Sequence, residues 1–206
     1  LACINRVGIM PQNQYQTGSI VSDRQERWTL EDITALFDGI FAERYQTRLI
    51  RGGDEPLYRP ANSETPYHQV IFARGYYASA LHEISHWCIA GAQRRQQEDY
   101  GYWYCPDGRD AEQQKAFEQA EIAPQALESI FTRACGRVFH VSVDNLGGDI
   151  EVDIETFAMR VEARAQRYQH EGLPLRAEAF RHALEAYYQQ GFSRQLAIAQ
   201  GLHRLL

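Results

Sequence analysis

In SALHEISHWCIAG (residues 79–91), two histidines four residues apart enclose a glutamate: His82-Glu83-Ile84-Ser85-His86. On a helix, side chains at this spacing lie one above the other, so both imidazoles can aim at one point. The pattern is the template of metallopeptidase zinc sites, in which two imidazoles hold the ion and the glutamate activates water. Ala80, Ile84 and Trp87 fall on a different, apolar face that can anchor such a helix in a core.

Two imidazoles do not complete a catalytic metal site; a third protein ligand is needed, with positions left for water or substrate. One peptidase design places a histidine six residues after the second and a glycine three before it. Here those positions are Ala92 and Ile89, so that design is excluded. Another takes a glutamate from a later helix, and FEQAEIAPQALE (117–128) supplies Glu118 and Glu121. Away from a metal motif both would read as solvated helix carboxylates. Two imidazoles and a carboxylate suit hydrolytic zinc and equally the facial triad of non-haem Fe(II) oxygenases. No H-x-D occurs, against a 2-oxoglutarate oxygenase signature, and Glu83-x-x-His86 stands as the single E-x-x-H, against a di-iron bundle. The residues alone leave hydrolase and oxygenase both open.

The elements that must position these groups follow from pattern. Residues 1–27 are Gln/Asn-rich without periodicity and read as an N-terminal extension to a domain of 28–206. Thr29 and Asp32 resemble a capping pair before the stripe Leu30, Ile33, Phe37, Ile40, Phe41, which predicts a helix. RLIRGG (48–53) and HQVIFARG (68–75) read as strands, with DEPLYRPANSETP (54–66) as loop. The metal motif sits on a helix expected over about 76–95, followed by the aromatic loop GYWYCPDGRD (101–110). Two helices, about 110–121 and 124–134, are expected to part at Pro124, a favourable first-turn residue. RVFHVSV (137–143) alternates like a strand, and helices are expected at about 153–170 and 175–190 with a short one at the C-terminal end. The pattern is α+β: a single compact domain with a small mixed sheet packed by several helices and the metal motif on a central helix.

At 206 residues, 44% apolar and 23% charged, the chain can bury one sizeable core. A net charge of −6 argues against broad electrostatic binding to nucleic acid. No apolar run approaches the roughly 20 residues that span a bilayer. The opening LACINRVGIMPQ lacks the apolar stretch of a secretory signal, and cytoplasmic location is expected. Cys3, Cys88, Cys105 and Cys135 show no metal or disulfide spacing and read as reduced thiols.

Five blocks resemble one bacterial family, the elongation factor P hydroxylases: RLIRGGDEPLYRPA (48–61), VIFARGYYASALHEISHWCIAG (70–91), GYWYCPDGRDAE (101–112), FEQAEIAPQALE (117–128) and DNLGGD (144–149). They occur in family order and span roughly 28–190. HEISHWCIAG followed by GYWYCPDGRD is the most specific pairing, since peptidases have no reason to share the second block. The resemblance implies a cytoplasmic enzyme that hydroxylates a lysine of elongation factor P already extended by a β-lysyl group. It also implies a fold similar to a metal-dependent bacterial endoribonuclease.

By motif matching, the resemblance implies Fe(II) on His82, His86 and Glu121, with Glu118 as the second choice, and O2 as co-substrate in a monooxygenase-type reaction. Zinc or another divalent metal remains possible in isolated protein. Glu83 is the catalytic candidate; it need not activate water and can instead hold a histidine or face the substrate. A doubly aminated side chain is cationic, so Asp54, Glu55, Asp107, Asp110 and Glu118 are candidates to line its path. Arg109 is a candidate contact, or a partner of Asp107 or Asp110. Tyr102, Trp103 and Tyr104 could flank ammonium groups, though such clusters are commonly core. No G-x-G-x-x-G fingerprint for a flavin or nicotinamide occurs, so an external reductant is expected. The competing expectations are a zinc-type peptidase or RNase, and a non-catalytic module whose structural metal takes a fourth ligand from Cys88, Cys105 or His140.

Overall fold

The first helix, α1 (Leu30–Tyr45), starts where Thr29 accepts a hydrogen bond from the Asp32 backbone N–H, a cap worth about 1 kcal/mol. Its buried stripe is Ile33, Leu36, Phe37, Ile40 and Phe41. The computed structural model describes residues 28–101, 108–143 and 153–206. The expected 1–27 extension, Cys3, Tyr102, Trp103, Tyr104, Cys105, Asp107 and the DNLGGD block lie outside these residues.

Three strands follow: β1 (Thr47–Arg51), β2 (Leu57–Arg59) and β3 (His68–Phe72), in the order β1-β3-β2. β1 runs parallel to β3 with Leu49 opposite Val70, and β2 runs antiparallel to it with Tyr58 opposite Val70. β2 falls within the stretch read as loop. It is only three residues long, with Pro56 and Pro60 at its ends, as suits an edge strand, and is too short to show a period.

The metal-motif helix α2 (Tyr77–Ile89) ends earlier than its pattern suggested. Ala90 turns extended, and Arg176 donates from Nη2 to the carbonyls of Trp87, Cys88 and Ala90, while Arg95 donates to Ala90 as well. These side chains satisfy the carbonyls that further helical turns would have used. Two short 3-10 turns, Arg94–Gln96 and Glu98–Gly101, replace the expected continuation.

Helix α3 (Ala111–Ala134) runs unbroken through Pro124, where two helices were expected. Asp110 and Gln113 form a full capping box at its start. An interior proline removes one backbone bond, a cost of about 3 kcal/mol. That cost is offset by burial on both sides of the break: Phe117, Glu121, Ala126, Leu127, Ile130 and Phe131 are all buried. The expected strand at 137–143 does not form. Its segment has no regular secondary structure, and Ser142 finds its partner in one side chain: Gln125 accepts from the Ser142 N–H and donates to its carbonyl.

Helices α4 (Ile154–Glu171), α5 (Leu175–Tyr188) and α6 (Arg194–His203) complete the α+β domain, six helices and three strands among the described residues. α2 lies centrally, packed against β3, α3 and α5. Trp87 is fully buried, with ring centres 4.7 Å from Phe41 and 5.2 Å from Phe37. Phe180 closes on Phe37 and Phe131 from α5. Each such ring contributes about 1.5–3 kcal/mol by burial, which fixes α2 and therefore the face it turns toward α3. No described helix is long and apolar enough to cross a membrane.

Candidate metal centre

Facing helices bring three ligand-type groups together. His82 and His86 project from α2 with Nε2 atoms 3.1 Å apart. Glu121 projects from α3, one oxygen 3.4 Å from His82 Nε2 and the other 3.3 Å from His86 Nε2. All the ligand atoms lie within 4.8 Å of one another.

The donor set fits a divalent cation on a physical test. Glu121 is 0% exposed, and neither carboxylate oxygen has a well-formed hydrogen bond. A buried carboxylate without donors is costly unless a cation neutralises it. Burial alone would raise its pKa, but the His86 and His82 rings hold it down, to about 2. The same proximity acts on His82: burial opposes its charge, yet Glu121, Glu128 and Glu83 push its pKa up to about 10.

Glu128, also on α3, accepts from or shares a proton with His82 Nδ1 at 2.8 Å. Such a contact puts the proton of neutral imidazole on Nδ1 and leaves the Nε2 lone pair for a metal. Glu128 was not singled out from sequence, although it closes the FEQAEIAPQALE block. Its signal was its place seven residues after Glu121, two helical turns on along the same face.

The remaining predicted residues are placed as follows. Glu83 is buried on α2 outside the three-ligand group, and its carboxyl pKa is raised by burial, only partly countered by His82 and His86. No hydrogen bond reaches it among the described residues. Glu118 turns instead to Gln114 at 3.2 Å and toward Arg160. Asp110 is the α3 N-cap. Arg109 is buried, donates to Gln114, and lies 3.8 Å from the Phe117 ring centre. Asp54 pairs with Arg74 at an exposed position, and Glu55 is exposed. Of the suggested fourth ligands, Cys88 is buried outside the group, its thiol pushed up to about 12 by burial. His140 lines a small cavity beyond His82, and Cys105 is outside the described residues.

A cavity of about 510 Å³ opens on the His86 side, between that ring, the Ile89–Arg94 segment, Tyr100, and Ala120 and Pro124 of α3. Because Pro124 has no N–H, the Ala120 carbonyl lacks its helical donor on this wall. Tyr100 was not identified from sequence either, lying just before the aromatic loop.

Fold and site thus define an α+β protein with a buried two-histidine, one-carboxylate centre able to hold a metal. Residues 36–198 match the family model EpmC, elongation factor P hydroxylase. The chain is 53% identical over 159 residues to the elongation factor P lysine hydroxylase of Haemophilus influenzae, covering 77% of this chain and 89% of that protein. The chain belongs to the elongation factor P hydroxylase family. Neither similarity supports the hydrolase alternative.

Proposed function

We propose that this protein hydroxylates the β-lysyl-modified lysine of translation elongation factor P in the cytoplasm. In this reading Fe(II) is held by His82, His86 and Glu121, and O2 is the co-substrate. Family membership supports the reaction. The observation that carries the metal role is the buried Glu121 carboxylate facing two imidazoles, all ligand atoms within 4.8 Å of one another.

The target C–H of an alkyl chain has no acidic proton and no leaving group, so acid–base side chains cannot attack it unaided. Bound Fe(II) with O2 supplies the oxidising power that this step demands. Two electrons from an external reductant let the second oxygen atom leave as water. The side chains supply position. His82 is held by Glu128 at Nδ1, and Glu121 is fixed by its burial in α3. His86 alone of the three lines the larger cavity, so substrate approaches from its side. Ile89, Ala90, Ala92 and Pro124 offer the apolar wall that lysine methylenes fit and that excludes water. With Glu128 on His82, Glu83 is released from holding a histidine. Its role is to face the cationic substrate, whose approach favours the ionised carboxylate that burial disfavours.

The test is to load the protein with Fe(II) anaerobically, add β-lysylated elongation factor P, admit O2 and weigh the factor by mass spectrometry. One added oxygen atom is expected, abolished in His82→Ala and His86→Ala. No gain, or a gain undiminished in those variants, overturns the reading. Glu121→Ala should lose bound iron while Glu118→Ala retains it; the reverse would exchange their roles.

A further inference from the structure

Pro124 sits inside α3 and on the wall of the larger cavity, and the two placements together have a chemical consequence. In a helix each carbonyl points along the axis toward the N–H four residues on. For Ala120 that residue is Pro124, which has no N–H to give. Ala120 and Pro124 both line the cavity, so the carbonyl directed from one to the other lies on its wall. It is one residue before Glu121 of the metal group. A residue that breaks the preference of its own helix is expected at functional positions.

The facing wall is different. There the Ala90 carbonyl accepts from Arg95 and Arg176, and that of Tyr100 accepts from Arg94. The carbonyls of His86, Gly91, Gln93 and Arg94 accept the backbone N–H groups of Ala90, Arg95, Gln96 and Gln97 in turn. No carboxylate lines the cavity among the described residues, so a cation that enters it meets neutral acceptors. A lysine-type ammonium offers only donors. A hydrogen bond with a charged donor is about twice as strong as a neutral one. A half-buried carbonyl deprived of its helical donor is the complementary group.

We propose that the Ala120 carbonyl, released by Pro124, accepts a hydrogen bond from an ammonium group of the substrate's extended lysine. The contact sets how deep that chain sits in the cavity. The identity of the substrate rests on the hydroxylase reading; the acceptor itself is tested by two proteins that differ only in an N–H at residue 124. Pro124→Ala supplies a donor to the Ala120 carbonyl. Lactic acid at the same position, joined as an ester, has the same side chain and no N–H. Both are loaded with Zn(II) and titrated calorimetrically with β-lysylated elongation factor P, and with a factor carrying methionine in place of that lysine. The alanine variant should bind the β-lysylated factor about tenfold more weakly than the lactic acid variant. The methionine factor should bind both within about twofold. Equal affinity of the two variants for the β-lysylated factor overturns the proposal, as does an equal difference with both factors. If the wild type does not distinguish the two factors, the substrate reading fails. The acceptor is then decided by 1,5-diaminopentane in Zn(II)-loaded crystals. An ammonium nitrogen about 3 Å from the Ala120 oxygen sustains it, and the absence of that contact overturns it.

Discussion

His82 and His86 are one helical turn apart on α2, yet their surroundings are opposites. His82 is engaged at both ring nitrogens, by Glu128 at Nδ1 and by the Glu121–His86 pair at Nε2. Beyond it lies a cavity of only about 40 Å³, lined by Tyr76, Ser79, His140 and Ser142. His86 faces about 510 Å³ of open space, and no carboxylate among the described residues holds its other nitrogen. The difference separates two tasks. On the function proposed above, the Glu128-held imidazole would set the metal geometry in advance, and the other would stand where substrate and co-substrate enter. Pre-organised ligands on one side and room on the other are what an open-coordinated catalytic centre requires.

Glu128→Ala should break this asymmetry most strongly. Removing the partner of a metal-binding histidine lowers metal affinity by about 10–100-fold, measurable by Zn(II) titration calorimetry. Glu128→Gln, whose amide oxygen can still accept from Nδ1, should recover much of the loss. Equal losses in both would mean that Glu128 acts by charge alone.

Acidity probes the same side. Burial disfavours a charged His82, but Glu121 and Glu128 push its pKa up to about 10, which favours a proton there in metal-free protein. Metal must displace that proton, so apparent Zn(II) affinity should rise about tenfold per pH unit from pH 6 to 8, with one proton released. Glu128→Ala removes one of the groups that raise the His82 pKa, so its slope should be shallower. A flat profile in the wild type would show that His82 is already neutral.

The His86 side should respond in a different quantity. Ala120→Leu puts a larger side chain into the cavity wall beside His86. KM for the modified factor should rise about tenfold, a loss of roughly 1.4 kcal/mol, with Zn(II) affinity within about twofold of wild type. A loss of metal instead would show that the wall supports the ligands.

What the sequence disclosed follows the range of each interaction. His82 and His86 are legible because their geometry is local, set by one helical turn. Their partner on α3 is not local: Glu118 and Glu121 stand three apart, and helical spacing cannot choose which one meets α2. The fold brings Glu121 to the two imidazoles, while Glu118 turns to Gln114 and Arg160. Glu128 escaped notice because a single carboxylate on a helix looks like a solvated one until its partner appears. Pro124 was read by its local preference, which tertiary burial overrides. Val138 to Val143 alternated like a strand, but the partner waiting for Ser142 was a side chain, and side-chain partners leave no periodic trace. The α1 cap and stripe, β1 and β3, by contrast, were carried by short-range pattern and appear where that pattern put them.

Gln125 gives the finest division between the two sides. It is 1% exposed, on α3 between Glu121 and Glu128, and holds the Ser142 backbone by both its N–H and its carbonyl. That segment covers the small cavity behind His82. Gln125→Leu keeps the side-chain bulk but leaves both backbone groups without their partner, at a cost of about 1–3 kcal/mol. A denaturant titration should therefore show a lower unfolding midpoint with an unchanged slope. The Gln125 amide also adjoins Glu121, so a small decrease in metal affinity is expected, within about threefold. If His82 is locked by Glu128 itself, stability falls while the metal stays. A loss of metal as large as that of Glu128→Ala would instead put the lock in the covering segment, with Glu128 held in place by it.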